Sequence, residues 1–282
     1  MRPLRHPLRM IESERHSQIL DLVRSHGFAE VAMLAARFQV TPQTIRRDIN
    51  RLAAEGLVRR VHGGAGAVEP QRNLTYESRR VLNHAAKRRI AALVAAQVPA
   101  GATVSVGIGT TPEEVARALP PRPGLRLLTN NVSAAWHLTS AHPEVEVTLA
   151  GGRLRDRVVV GDDAVAFFRR YTVDVAVFGV GGIDDGGGLL DFDTDEVRAR
   201  LAMAENARAT FLVFDASKIG RKAFARGGCL TEVSAIFTDA PLPPPLAARA
   251  AAAGVPVHVA ADAITTTTTT AAIPFQPEDI SA

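Results

Sequence analysis

The sequence has little of three features that mark particular classes of protein. Its 282 residues include a single cysteine, Cys229, so neither a disulfide nor a metal site of clustered thiolates is available. No run of residues approaches the roughly 18 apolar residues of a membrane-spanning helix. The N-terminus contains Arg and Pro but no apolar signal core. We therefore expect a cytoplasmic protein without a membrane partner.

Positive charge is concentrated in the first quarter of the chain. Residues 1–64 contain 11 Arg and 6 acidic residues, whereas residues 65–282 contain 22 Lys or Arg and 23 acidic residues. The formal net charge of +4 therefore comes from the N-terminal part. This distribution is typical of a nucleic-acid-binding module attached to a near-neutral domain.

The run TPQTIRRDINRL, residues 41–52, predicts a helix that extends to Ala54. Thr41 can cap its start, and Pro42 suits the first helical position because the N–H that it lacks would have no partner there. The apolar residues recur at helical spacing, so the polar residues lie on the opposite face. We expect that face to contact DNA through the residues Thr41, Gln43, Thr44, Arg46, Arg47 and Asn50.

The segments on either side of this helix complete a DNA-binding motif. A shorter helix containing Met33, Leu34 and Phe38 precedes it at the spacing of a helix-turn-helix, whose second helix enters the major groove. Residues 57–62 alternate like a strand and end at Gly63-Gly64, which indicates a basic wing. Arg59, Arg60 and His62 are the DNA-contacting candidates of this wing. The alternative, a merely solvated basic helix face, does not account for two basic elements side by side.

From Ile90 onward, short apolar runs alternate with helical stretches, which predicts an α/β domain with a mostly parallel sheet and helices on its faces. Seven runs are expected to be buried strands: residues 104–106, 125–128, 145–149, 173–178, 211–214, 235–237 and 257–259. Glycine-rich or polar segments follow five of these strands. Because ligands bind beyond the carboxyl ends of such strands, we expect these segments to converge on one crevice.

The residue types in this crevice indicate a site for an anion such as a phosphate group. Backbone N–H groups at a helix start, Thr hydroxyls and the cations Arg153 and Lys218 suit a phosphate. The alternatives are a tight strand-to-helix turn and exposed loop cations. Asp193 and Glu196 either bind hydroxyls or cap a helix. The effector-binding candidates are Gly107, Gly109, Thr110, Thr111, Asn130, Asn131, Gly152, Arg153, Gly181, Asp193, Glu196 and Lys218.

These motifs, in this order, resemble the DeoR family of bacterial transcriptional regulators over roughly residues 15–260, and the similarity is greatest to its glycerol-3-phosphate branch. The resemblance rests on TPQTIRRDINRL and HGGA in the first part, and on residues 107–112, 129–131, 149–152, 189–198, 217–220 and 238–241 in the second. It implies a winged helix-turn-helix and a sensor domain with the fold of ribose-5-phosphate isomerase and coenzyme A transferases. It also implies a sensing lysine at Lys218 and assembly into dimers or tetramers.

Two departures from the family pattern affect this expectation. Glu30 stands where the family usually has a Ser or Thr that caps the second helix, and its carboxylate would repel a nearby DNA phosphate. The loop of residues 155–161 lacks the Asp-Gly-Gly of the glycerol-3-phosphate branch. We therefore expect an effector that is glycerol 3-phosphate or another sugar phosphate.

The predicted organisation has five segments. They are a disordered basic tail (1–14), the winged helix-turn-helix (15–65), a linker with a helix starting before Lys87 (66–86), the sensor domain (87–260) and a low-complexity flexible tail (261–282). Met10 is an alternative translation start, which N-terminal sequencing of the native protein would decide.

The function predicted from the sequence is a repressor that binds double-stranded operator DNA and is released by a small phosphorylated metabolite. Activation instead of repression is an alternative. An enzyme is another, because the implied sensor fold also supports isomerisation and acyl transfer, with Glu196 or Asp193 as the base. The sequence offers no convincing acid-base pair, and a metabolic enzyme does not need a DNA-binding segment. We therefore expect no catalytic residue, cofactor or metal.

Overall fold

The computed structural model describes residues 12–67 and 75–260. The chain divides into two compact units, residues 1–86 and 87–282. Most of the predicted N-terminal tail, residues 68–74 of the predicted linker and the predicted C-terminal tail lie outside the described residues.

The first unit combines helices with a small antiparallel sheet whose strand order is β1-β3-β2. Its elements are α1 (Glu12–His26), β1 (Phe28–Glu30), α2 (Val31–Phe38), α3 (Pro42–Ala54), β2 (Arg59–Val61), β3 (Gly64–Gly66) and α4 (Tyr76–Val81). The predicted helix pair and basic wing are both present. Strand β1 was not predicted; it is three residues long and gains its strand hydrogen bonds by pairing with β3.

Local signals explain where the two central helices end and begin. Gln39 adopts a left-handed conformation with φ of 53°, and its N–H bonds the last carbonyls of α2. Thr41 then caps α3, since its Oγ1 accepts a hydrogen bond from the N–H of Thr44 at 3.2 Å. In the wing, a Cβ on Gly64 would lie 2.2 Å from the carbonyl oxygen of Ala29. Only glycine therefore allows β3 to approach β1 so closely.

Helix α1 begins before the predicted domain boundary at Arg15. Glu12 and Glu14 lie in its first turn, where acidic side chains favour the helix dipole. Glu12 Oε1 also accepts a hydrogen bond from Arg51 Nη1 at 2.8 Å. The predicted disordered tail is therefore too long by residues 12–14.

The segment predicted as a linker contains more regular structure than its composition indicated. Thr75 caps α4, and the next helix begins at His84. Tyr76 is buried, and Leu82 belongs to the hydrophobic core of the first unit. A few apolar anchors therefore suffice to order residues 75–86, which a count of apolar residues did not reveal.

A buried ion-pair network joins α1 to α3. Arg15 donates from Nε to Asp48 Oδ2 at 2.7 Å and from Nη2 to Asp48 Oδ1 at 3.2 Å, and His16 Nε2 lies 3.0 Å from the same Oδ1. The side chains of Arg15 and Asp48 are 10% and 4% exposed. Glu12, His16 and Asp48 could together offer ligand atoms to a metal ion, but the guanidinium already neutralises Asp48. We assign this cluster to stability.

The second unit is an α/β domain. Its elements are α5 (His84–Gln97), β4 (Thr103–Val106), α6 (Thr110–Ala118), β5 (Arg126–Thr129), α7 (Val132–Ala141), β6 (Glu146–Leu149), β7 (Arg153–Arg155), β8 (Val158–Val160), α8 (Asp162–Arg169), β9 (Val173–Phe178), β10 (Gly182–Ile183), β11 (Gly188–Asp191), α9 (Thr194–Glu205), β12 (Ala207–Val213), a 3₁₀ helix (Ala216–Lys218), β13 (Ala225–Cys229), a second 3₁₀ helix (Leu230–Glu232), β14 (Ala235–Thr238), α10 (Pro244–Ala252) and β15 (Val257–Val259).

The seven predicted strands form one seven-stranded sheet in the order β15-β14-β12-β9-β4-β5-β6. All its neighbouring strands pair in parallel, so the predicted α/β class is confirmed. The edge strands β6 and β15 were expected to be buried but are partly exposed. Each of them has a neighbouring strand on one side only. Two large apolar clusters fill the domain core.

Two smaller sheets were not predicted. Strands β10, β11 and β13 form an antiparallel sheet, and β7 and β8 form a hairpin. The strands of the hairpin are joined by Asp156 and Arg157, both left-handed, with φ of 46° and 67°. Two consecutive residues with positive φ are the signature of a type I′ turn, which favours glycine at its second position.

Replacing Arg157 with Gly should stabilise the second unit by about 0.5–1 kcal/mol, because glycine adopts this conformation without a steric penalty. The Arg157 carbonyl, which accepts a hydrogen bond from the Val132 N–H at 3.0 Å, is retained. Arg157→Ala removes the same side chain but keeps the penalty, so it should not stabilise. Urea unfolding measures both variants, and equal effects would mean that the turn is not strained.

Candidate functional site

The structure places the predicted DNA-contacting residues at the surface of the first unit. Thr41, Gln43, Arg46, Arg47 and Asn50 are exposed along α3, and Thr44 is half-buried. In the wing, Arg59, Arg60 and His62 are exposed as well. The apolar face of α3 is buried, as its spacing predicted.

A groove of about 510 Å³ lies between α3 and the wing. Four of the predicted DNA-contacting residues line it, namely Arg46, Asn50, Arg60 and His62, and Glu30 lines it from the start of α2. The other predicted residues lie outside its lining. The groove therefore presents three basic or potentially basic side chains and one carboxylate.

The arginines of this unit differ in whether an acid neutralises them. Within the described residues, Arg46, Arg47 and Arg60 have no ion pair with a carboxylate, whereas Arg15 pairs with Asp48 and Arg51 pairs with Glu12. Guanidinium groups without an internal partner are available to phosphates and base edges. This division favours a DNA-contacting role for the unpaired arginines.

Glu30 is the N-cap residue of α2, but its side chain makes no capping hydrogen bond. Because the first helix of a helix-turn-helix crosses the DNA backbone, we expect this carboxylate to lie near the phosphates of bound DNA and to weaken binding. We expect Glu30→Gln to strengthen DNA binding about 3- to 10-fold and to steepen the dependence on salt by about one unit of slope.

Glu14→Gln is the matched control, because it removes an exposed carboxylate of the same unit that does not line the groove. Fluorescence anisotropy at several salt concentrations measures both variants. Unchanged affinity in Glu30→Gln would place this carboxylate away from the phosphates.

In the second unit, a crevice lies where the order of the strands reverses. From β4 the chain continues to β5 and β6 on one side, whereas β9, β12, β14 and β15 lie on the other. Gly107 and Gly179, which follow β4 and β9, line a cavity at this switch point, the position at which ligands bind in such sheets. The enclosed space is about 10 Å³, which is room for about one water molecule.

Three of the predicted effector residues line this cavity: Gly107, Asn130 and Glu196. The remaining lining residues are Ile108, Phe168, Phe178, Gly179, Asp191, Ala199, Arg200 and Met203. The wall is thus mostly apolar, with a few polar groups that converge on it, as is usual for small-molecule sites.

The neighbouring residues Asn130 and Asn131 have different roles. Asn130 is 1% exposed, and its Nδ2 donates to the Val159 carbonyl at 2.9 Å. Its Oδ1 is buried without a hydrogen-bond partner among the described residues, a costly state that a ligand hydroxyl would relieve. Asn131 instead caps α7 and donates to the Gly109 carbonyl at 3.3 Å. Its role in the structure is local support.

The buried pair Asp191 and Arg200 was not among the predicted site residues. Arg200 donates to Asp191 Oδ2 from Nη2 at 3.0 Å and from Nε at 3.3 Å. Burial raises the pKa of Asp191, and the Arg200 charge opposes that shift. The sequence contained one signal for this pair: Arg200 follows Val197 and precedes Met203 at the spacing of the buried face of α9.

Asp193 and Glu196 lie at the start of α9, and both interact with Arg155. Asp193 caps the helix through the Asp195 N–H at 2.7 Å and accepts a hydrogen bond from Arg155 Nη1 at 2.6 Å. Arg155 Nη2 lies 3.7 Å from Glu196 Oε1. The Arg155 guanidinium lowers the pKa of Asp193. A carboxylate held ionised in this way is a weak base, which weakens the enzyme alternative.

The glycine-rich strand exit after β4 is a tight turn into α6. Gly109 caps that helix with φ of 117°, and Thr110 and Thr111 are buried in its first turn. Glu113, also buried there, pairs with Arg117 at 2.8 Å. These contacts fit the turn alternative, and Thr110 and Thr111 do not line the cavity, so their role as effector contacts stays a prediction.

The other predicted effector residues lie outside the lining of this cavity. The Gly181 N–H donates to Asp191 Oδ1 at 2.7 Å, and the positive charge of Lys218 acts on the same carboxylate to lower its pKa. Arg153 is exposed and donates to Asp195 at 3.2 Å. Gly152 has φ of 134° and is packed against Asp163, so its role is conformational.

Two matches to protein-family models cover both units. Residues 15–71 match the DeoR-like helix-turn-helix domain, and residues 82–240 match the DeoR C-terminal sensor domain. The chain belongs to the DeoR family. Its winged helix-turn-helix and sensor domain thus have the arrangement that the resemblance implied.

Known relatives support this membership over most of the chain. The glycerol-3-phosphate regulon repressor of Escherichia coli (strain K12) is 41% identical over 236 residues, which are 83% of this chain and 93% of the relative. The protein of the same name from Haemophilus influenzae is 42% identical and covers 81% of this chain and 90% of its own length.

One similar solved structure is that of ribose 5-phosphate isomerase A from Methanocaldococcus jannaschii. It is 17% identical, covers 50% of this chain and 56% of its own, and has a TM-score of 0.38. A likeness this weak says nothing about function. In the described part of the DeoR-family chain, no helix combines the length and the apolar character needed to cross a bilayer.

Proposed function

We propose that this DeoR-family protein is a transcriptional repressor that binds operator DNA through α3 and the wing. It releases the DNA when a phosphorylated polyol or sugar occupies the crevice, and glycerol 3-phosphate is the first candidate. The names of its relatives support repression, since several are repressors of a glycerol-3-phosphate regulon. We further propose a cytoplasmic, non-catalytic protein that assembles into dimers or tetramers, which would present paired DNA-binding units to two half-sites.

The DNA-binding part of this proposal rests on charge and exposure. The arginines along α3 and the wing are exposed, and within the described residues Arg46, Arg47 and Arg60 have no carboxylate partner. Arginine can form two hydrogen bonds with guanine, and glutamine can do the same with adenine. Arg46, Arg47 and Gln43 therefore have the chemistry for base readout, with Arg59 and Arg60 placed for phosphate contacts.

The single observation that carries the ligand class is the set of oxygen acceptors in the cavity. Among the described residues, the buried Oδ1 of Asn130 has no hydrogen-bond partner, and the carboxylate of Glu196 lines the same space. Such acceptors bind the hydroxyl groups of a polyol. Lys218, whose positive charge acts on Asp191, offers a cation for the phosphate group of the ligand.

The proposal is tested by combining thermal shift with operator release. The panel is glycerol 3-phosphate, glycerol, fructose 1-phosphate, fructose 6-phosphate, galactosamine 6-phosphate and deoxyribose 5-phosphate. Glycerol 3-phosphate should raise the melting temperature and release DNA, whereas glycerol should do neither. Release by another sugar phosphate would change the effector and keep the mechanism. No response across the panel would contradict the sensor role.

Lys218→Ala should leave DNA binding unchanged and weaken release by the effector about 10-fold or more, because a charge-assisted hydrogen bond to phosphate is lost. Lys222→Ala is a matched control, since it removes an exposed lysine four residues further along the chain. The concentration of effector that releases half of the DNA is the quantity to compare. Equal values in wild type and Lys218→Ala would remove Lys218 from the phosphate site.

A further inference from the structure

The β7–β8 hairpin contacts both the segment that follows β5 and the start of α9. On one side it is fixed by backbone bonds, since the Val159 N–H donates to the Asn130 carbonyl at 2.8 Å and the Val132 N–H to the Arg157 carbonyl at 3.0 Å. On the other side it reaches the start of α9 through ion pairs of Arg153 and Arg155. Residues two apart on a strand share a face, so both arginines lie on the α9 side of the hairpin.

Arg155 and Arg153 differ in whether a carboxylate partner lines the cavity. Arg155 approaches Glu196, which lines the cavity, whereas Arg153 binds Asp195, which does not. The ion pairs of Arg155 therefore connect the hairpin directly to the ligand-binding wall. The cavity encloses about 10 Å³, far below the roughly 300 Å³ at the lower end of ligand pockets. A sugar phosphate therefore needs more space than this cavity encloses.

We propose that Arg155 binds the phosphate of the effector, and that Asp193 and Glu196 occupy its guanidinium until the effector arrives. This inference rests on the proposed function. The planar guanidinium suits a phosphate through two parallel hydrogen bonds. A phosphate monoester carries a charge of about −1.5 to −2 and three acceptor oxygens, so it can compete with the Asp193 and Glu196 carboxylates for the guanidinium.

Breaking the ion pair between Arg155 and Asp193 costs the protein little free energy of folding. The side chains of Arg155 and Asp193 are 41% and 27% exposed, and ion pairs this accessible to water contribute little to stability. Asp193 stays ionised after it is displaced, because water solvates it. Glu196, once released from Arg155, can accept a hydrogen bond from a ligand hydroxyl in the cavity.

Because of this exchange, Arg155 makes different contacts in the ligand-free and the ligand-bound state. Without ligand, Arg155 holds the hairpin to α9; with ligand, that attachment is replaced by a contact to phosphate. A ligand shifts a conformational equilibrium only through such a difference. Ligand binding is therefore expected to move the hairpin relative to α9.

Titration calorimetry on the full chain tests this exchange, with glycerol 3-phosphate and inorganic phosphate as probes. Arg155→Gln should weaken binding of glycerol 3-phosphate about 10-fold or more. Asp193→Asn should strengthen it about 3-fold or more, because Asn still caps α9 but no longer competes for Arg155. The double variant should bind as weakly as Arg155→Gln. Arg169→Gln, which removes an ion pair with Glu205 at the other end of α9, should match wild type.

The outcomes separate this inference from the proposed function. Unchanged affinity in Arg155→Gln, or weaker binding in Asp193→Asn, would overturn the exchange, and the latter would instead make Asp193 a ligand contact. If Arg155→Gln fails to fold, the Asp193→Asn variant still decides, since it retains Arg155. Wild-type protein that binds neither probe would contradict glycerol 3-phosphate as the effector and, with it, this exchange at Arg155; the sensor function is tested separately by the wider panel of sugar phosphates.

Discussion

Replacing Arg15 with Ala should destabilise the first unit by about 3–5 kcal/mol, because it leaves the Asp48 carboxylate buried without its main counter-charge. Arg15 makes two hydrogen bonds to Asp48, at 2.7 and 3.2 Å, and both side chains are almost completely buried. A loss of this size is a large part of the stability of a small domain. DNA binding should fall with it, since Asp48 lies on α3.

Arg51→Ala is the matched control for this prediction. Arg51 lies on the same helix as Asp48 and pairs with Glu12 at 2.8 Å, but its side chain is 61% exposed. Exposed ion pairs contribute about 0–1 kcal/mol. Hydrogen exchange of α3 amides, combined with urea unfolding, isolates the first unit in the full chain. If both variants lose the same free energy of unfolding, burial does not increase the contribution of the Arg15–Asp48 ion pair.

Arg47→Ala should lower the affinity for operator DNA about 10- to 100-fold, the effect expected of an arginine that forms two hydrogen bonds with a guanine. Arg47 is exposed on α3 and has no carboxylate partner among the described residues. The fold and effector binding should be unchanged, because the side chain belongs to neither core. An operator selected from a random DNA pool, titrated at physiological salt, provides the measurement.

Arg51→Ala also controls for charge in this experiment. It removes one arginine from the same helix, one turn further on, where Glu12 and Glu55 already neutralise it. We expect little change in operator affinity. A similar loss in both variants would indicate a general electrostatic effect, whereas unchanged affinity in Arg47→Ala would remove this residue from base readout.

The sequence by itself determined the elements that depend on local chemistry. Thr41 and Pro42 defined the start of α3, the spacing of its apolar residues defined its buried face, and seven apolar runs defined the parallel sheet. These signals act over a few residues, so periodicity and capping suffice to recognise them. The charge difference between the two parts of the chain likewise follows from composition alone.

The tertiary structure decided the features that depend on distant pairing. Strand β1 needs β3, Asp48 needs Arg15 from another helix, and the cavity places Asn130 beside Glu196, 66 positions further along the chain. Local sequence patterns do not show which residues far apart in the chain become neighbours in the fold. The role of Arg155 is the clearest case, since an exposed arginine becomes informative only when the fold places two carboxylates of α9 beside it.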